Sequence, residues 1–153
     1  MVPSSLRLVI LASRYNEEVV DGLVAGAQSA LRASAYAKAS CRILRVPGAW
    51  ELPLLALQLA RSRQADAIVA LGAVIRGETD HYLHIARSAC DGLLRVMLET
   101  GVPVGFGVLT TDDEAQALAR AGTQDNKGAE AMRAVLEVLD LRAGLDDHES
   151  PPS

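Results

Sequence analysis

Aromatic residues are scarce in this chain. They make up 3% of its 153 residues, and there are five: Tyr15, Tyr36, Trp50, Tyr82 and Phe106. The core must therefore be built from Ala, Val and Leu, and an aromatic at the end of a strand is free to meet a planar ligand. Cysteine is scarcer still. Cys41 and Cys90 lie far apart with no metal-type spacing. That excludes a disulfide scaffold and a zinc ribbon, and two reduced thiols in a cytoplasmic protein are expected. Positive charge is in deficit, with 15 Lys and Arg against 19 Asp and Glu for a net charge of −4. No basic patch or tail is present, which argues against nucleic acid and anionic lipid as partners. No apolar run reaches the length of a membrane span. Residues 1–5 show no basic segment leading into an apolar stretch, so no secretory signal is expected.

What the chain does have is alternation. Residues 6–12 (LRLVILA), 39–46, 67–75 and 104–109 (VGFGVL) are apolar and strand-like in length and type. Helical spacing separates them. It predicts helices over 17–36, 50–64 and 81–99, a short one reaching Arg120, and a last one over 126–141. Asn16 stands where it can cap the first helix, Thr79 or Asp80 the third, and residues 110–113 the fourth. Pro53 fits the first turn of the second helix. Gly22 and Gly26 suggest close packing of the first helix on the sheet, and Gly105 and Gly107 suggest room for something to approach Phe106. Strand and helix in turn, with continuous apolar strands, imply a parallel sheet covered on both faces. The expected fold is α/β: a three-layer αβα, flavodoxin-like sandwich on four parallel strands. Residues 1–143 are expected to form one domain, and 144–153 a polar, disordered tail.

The stretch 71–84 (LGAVIRGETDHYLH) concentrates chemistry. A strand there feeds a helix through a short polar loop, and in open α/β sheets such loops hold ligands. His81 stands at the loop's mouth, and a histidine there can move protons. Gly77, Glu78 and Thr79 precede a helix N-terminus, which favours an anion through its backbone N–H groups. Arg76 and Arg120 are candidate cations, though each is also explained as a structurally paired or solvated side chain, and Lys127 is better explained as an exposed first-turn lysine. Tyr15, Trp50 and Tyr82 follow strand-like runs, and Phe106 lies within one. Other constellations fail. Residues 72–77 (GAVIRG) lack the Lys-Ser/Thr of a nucleotide phosphate loop, and no G-x-G-x-x-G follows the first strand. His81 and His84 have no third ligand nearby in sequence, so no metal is expected. No Ser or Cys occupies a nucleophile elbow.

Four blocks in order resemble the 6,7-dimethyl-8-ribityllumazine synthase family: RYN at 14–16, VPGAWELP at 46–53, GAVIRGETDHY at 72–82, and RAGT…NKGAEA over 120–131. The resemblance implies a transferase of riboflavin biosynthesis. It condenses 5-amino-6-(D-ribitylamino)uracil with 3,4-dihydroxy-2-butanone 4-phosphate, releasing phosphate and water, without cofactor or metal. By that resemblance Tyr15 stacks on the pyrimidine, and Ala49, Trp50 and Glu51 hold the ribityl chain. Ala73, Val74 and Ile75 read the pyrimidine edge. Glu78, Thr79 and Arg120 take the phosphate, and His81 shuttles protons. Phe106 lines the pyrimidine pocket of the next subunit. The resemblance also implies a homopentamer, alone or within a larger shell, with sites between subunits, and riboflavin synthase as a candidate partner. Two other readings stay open: a non-catalytic shell or scaffold member, and a flavin- or nucleotide-binding module of the same fold. The presence of His81 and Arg120 favours catalysis.

Overall fold

Alternating side chains decide how this sheet is covered. The computed structural model describes residues 5–149. Four parallel strands, β1 (Arg7–Ser13), β2 (Ser40–Val46), β3 (Ala67–Ile75) and β4 (Val104–Thr111), lie in the order β2-β1-β3-β4. Five helices connect and flank them: α1 (Glu17–Arg32), α2 (Leu52–Arg61), α3 (His81–Thr100), α4 (Glu114–Ala119) and α5 (Lys127–Glu149). A 3-10 turn, Ala49–Glu51, leads into α2. Leu8, Ile10, Val69 and Leu71 point to one face, where α1, α4 and α5 cover them with Leu23, Ala117 and Met132. Val9, Leu11, Ile68 and Ala70 point to the other, under Leu52 and Leu59 of α2 and Leu93 of α3. This is the expected three-layer αβα sandwich, and its core is almost wholly aliphatic.

Several local expectations are corrected. The first helix stops at Arg32 rather than 36, because Ser34 Oγ donates to Leu31 O at 2.7 Å and turns the chain. Asn16 does not cap α1 with its side chain. The last helix continues past 141 to Glu149, so 144–149 extend α5; residues 150–153 of the expected tail lie outside the described residues. Gly22 and Gly26 admit the α4–α5 junction rather than the sheet: a Cβ on Gly22 would strike Ala121, and one on Gly26 would strike Asn126. Gly105 and Gly107 leave no ligand space at Phe106. Added Cβ atoms there would meet Ala131 O at 2.6 Å and Leu71 Cδ2 at 2.5 Å, respectively, so small residues are needed for packing. Asp113 caps α4 as expected, accepting from Gln116 N at 2.8 Å, and Pro53 occupies the first turn of α2.

Tyr36 ties the segment after α1 to α5. Its hydroxyl donates to Asp140 Oδ1 at 2.5 Å. That bond, then burial, then the carboxylate's charge push the Tyr36 phenol up to about 12. The unfolded chain therefore ionises first, near the ordinary value of about 10. The stabilisation is whole below pH 10 and is lost as pH rises to 12. Tyr36→Phe should cost about 1 kcal/mol at neutral pH. Melting temperatures from pH 7 to 12 should show the wild type losing its advantage over the variant in that window.

Candidate active site

The strand order reverses direction between β1 and β3, and in a parallel sheet this opens a crevice at the carboxyl ends of the strands. A cleft of about 490 Å³ lies there. Tyr15 and Asn16 follow β1, Gly48, Ala49 and Trp50 follow β2, and Ala73, Val74 and Ile75 end β3. Gly77, Thr79, His81, Tyr82 and Ile85 close it from the β3–α3 loop and the start of α3. Tyr15 and Trp50 are 74% and 60% exposed. Two such rings in so aliphatic a chain form aromatic walls that water does not need. The first turn of α3 carries no acid, and Asp80 at its N-cap makes no side-chain cap, so N–H groups at the helix start remain able to meet an anion beside His81. Thr79 Oγ1 accepts weakly from His81 N at 3.4 Å.

Eight residues expected at the site therefore meet in one cleft: Tyr15, Ala49, Trp50, Ala73, Val74, Ile75, Thr79 and His81. Four expected residues do not line it. Glu51 turns back, accepting Gly48 N at 3.1 Å to hold the 3-10 turn. Glu78 is exposed on the loop. Phe106 lies on the edge strand β4, 48% exposed. Arg120 is exposed after α4, where its Nη1 donates to Gln116 O at 2.9 Å. Arg76 joins β3 to β4 through its backbone, donating to Thr111 O at 2.8 Å. Its side chain reaches Asp112 only at 4.0 Å and is open to solvent. Lys127 pairs with Glu130 at 3.0 Å. Asn16 was read from sequence only as a cap, yet it lines the cleft. A polar residue beside the aromatic Tyr15, at the end of the first strand, was the signal for it.

The family model of 6,7-dimethyl-8-ribityllumazine synthase matches residues 5–143. The chain belongs to the 6,7-dimethyl-8-ribityllumazine synthase family. Its relatives of that name include one from Stenotrophomonas maltophilia (strain R551-3), 49% identical over 91% of this chain and 90% of the relative. Another, from Kineococcus radiotolerans, is 51% identical over 93% and 88%. A third, from Leifsonia xyli subsp. xyli, is 53% identical over 87% and 84%. The matched region carries every element around the cleft, and the lumazine synthase family's blocks at 14–16, 46–53 and 72–82 are the segments that line it. Among the described residues no helix is long and apolar enough to cross a membrane, and no group of three His, Cys, Asp or Glu could hold a metal ion.

Proposed function

We propose that this chain makes 6,7-dimethyl-8-ribityllumazine from 5-amino-6-(D-ribitylamino)uracil and 3,4-dihydroxy-2-butanone 4-phosphate, with His81 moving the protons. The observation that carries the reading is the cleft itself: two exposed aromatic walls, a strand end, and a helix N-terminus beside an imidazole. A flat ring suits the space between Tyr15, Trp50 and the rim of β3. The phosphate suits Thr79 and the start of α3. The amine of the uracil attacks the ketone and forms an imine with loss of water. Phosphate then leaves, and the ring closes with loss of a second water. Each of these bond changes needs protons moved between atoms held in place, so one imidazole plus orientation is sufficient. His81 lines the cleft, and this reading sets it between the two substrates.

Phe106 and Arg120 lie outside the cleft of their own chain. Both are exposed, and a second copy set against the cleft would supply the aromatic and the phosphate cation that the single chain lacks. A ring of such copies, the pentamer or a larger shell, therefore completes the site. Mixing the purified protein with both substrates should give the fluorescent lumazine and release phosphate. A flavin-binding module would take up a yellow chromophore and make no product, and a scaffold would do neither.

A further inference from the structure

We propose that Asn16 is a positioning residue for the pyrimidine half of the cleft: its side-chain amide replaces a missing rung between β1 and β3, and so fixes Tyr15 against the end of β3. The inference rests on the reading of this cleft as the site of the condensation.

β1 and β3 pair in register from Leu8↔Ala67 to Ala12↔Leu71. Two residues further on, Arg14 would stand opposite Ala73, but that pairing does not form. Arg14 N donates to Val46 O at 2.8 Å as the next rung of the β1–β2 ladder, and Tyr15 N, next in turn to face β3, donates instead to Pro47 O at 3.2 Å. The backbone has swung to the β2 side. β3 meanwhile continues along β4 to Ile75. Its other edge is left without a strand partner just where the cleft begins. Asn16 Nδ2 donates to Ala73 O at 2.9 Å and closes that edge.

The backbone shows what this contact demands. Asn16 sits at φ 58 and ψ 52, the left-handed region. Glycine would adopt it at the least cost, and asparagine tolerates it better than most residues. A side chain at this position would ordinarily cap the following helix. Here only the carbonyl of Asn16 serves α1, accepting from Val20 N at 3.1 Å, and the amide crosses to β3. Asparagine is thus the residue that suits both the turn and the rung. Tyr15, Asn16 and Ala73 all line the cleft. With Tyr15 74% exposed, little packing holds its ring, and the turn at Asn16 sets its place. The gap between Tyr15 and the rim of β3 is the gap a flat heterocycle must fit. The start of α3, where phosphate and protons are handled, does not depend on this contact.

Asn16→Gly keeps the backbone preference and removes the amide. Asn16→Asp keeps shape and left-handed tendency but sets a carboxylate against Ala73 O. Steady-state kinetics on the assembled protein should show KM for the aminouracil rising about tenfold in Asn16→Gly, the equivalent of one lost hydrogen bond, and further in Asn16→Asp. The KM for the butanone phosphate, kcat and the pH profile should stay as in the wild type, which a general loss of folding would not produce. An unchanged KM for the aminouracil in both variants overturns the proposal. So does a fall in kcat with an altered pH profile, which would put Asn16 in the proton path. If the wild type forms no lumazine, the reading of the cleft fails separately. Titration of Trp50 fluorescence with the aminouracil alone then decides: weaker binding by both variants supports the role of Asn16. Equal binding by variants and wild type, or none by the wild type, overturns it.

Discussion

Gly128→Ala is expected to destabilise the protein by about 3 kcal/mol, the upper part of the range for overpacked positions. α1 and α5 cross at glycines. A Cβ on Gly128 would overlap the carbonyl oxygen of Leu23 and lie 2.7 Å from its carbon and 2.9 Å from its Cα. These are backbone atoms, so no rotamer change relieves the clash and the helices must separate. Separation then breaks a second set of contacts. Asn126, 7% exposed, donates from Nδ2 to Gly22 O at 3.0 Å and to Gly122 O at 2.9 Å, and its Oδ1 accepts from Ala129 N at 3.0 Å. A buried amide stripped of these partners adds its own desolvation cost. At roughly 2–4 °C per kcal/mol for a chain of this size, the melting temperature should fall by about 10 °C. Gly144→Ala, in the same helix, is the control. A Cβ there meets nothing within 4 Å, so the substitution should raise stability by up to about 1 kcal/mol. Equal melting of Gly128→Ala and wild type would show that the crossing yields easily, against the packing described above.

His81→Ala should lower kcat by roughly 10²-fold, the lower end of what a positioned acid–base group supplies. The lower end applies because His81 is exposed at the mouth of the cleft, where water can carry protons in its place. Orientation of the two substrates survives the substitution, so both KM values should move little. His81→Gln, which keeps bulk and polarity without a titratable nitrogen, should be as slow as His81→Ala. His84 lies one turn further along α3, is exposed and does not line the cleft. His84→Ala should therefore retain the wild-type rate. A wild-type kcat in either His81 variant would remove the imidazole from the mechanism.

Strand pattern was the most legible part of the chain. The run 67–75 is β3 to the residue, and helix α3 opens at His81 as the polar loop before it suggests. Continuous apolar runs have one interpretation when helices alternate with them. The site was legible where it consists of strand ends, which is why Tyr15, Trp50 and 73–75 meet. Side-chain destinations were not. Asn16 satisfies the rule for a cap, but β1 leaves the sheet early and an open carbonyl on Ala73 competes for its amide. The glycines of α1 signalled close approach without naming the approaching element. That element, the α4–α5 junction, lies about a hundred residues away in sequence, and only the folded topology brings it there. Phe106 and Arg120 stand out in the sequence as a strand aromatic and a candidate cation, and nothing in their local pattern says whether they belong to the cleft of their own chain.

The strand order has a consequence for how the chain emerges from the ribosome. β1 is made first but lies inside the sheet, between β2 and a strand that ends 62 residues later, from Ser13 to Ile75. At about 5–20 residues per second, β1 waits roughly 3–12 s for that neighbour. The layer containing Leu8, Ile10 and Leu23 waits longer still, because Met132 and Val135 follow more than a hundred residues after it. A nascent chain stalled before residue 127 would leave that greasy surface open to water.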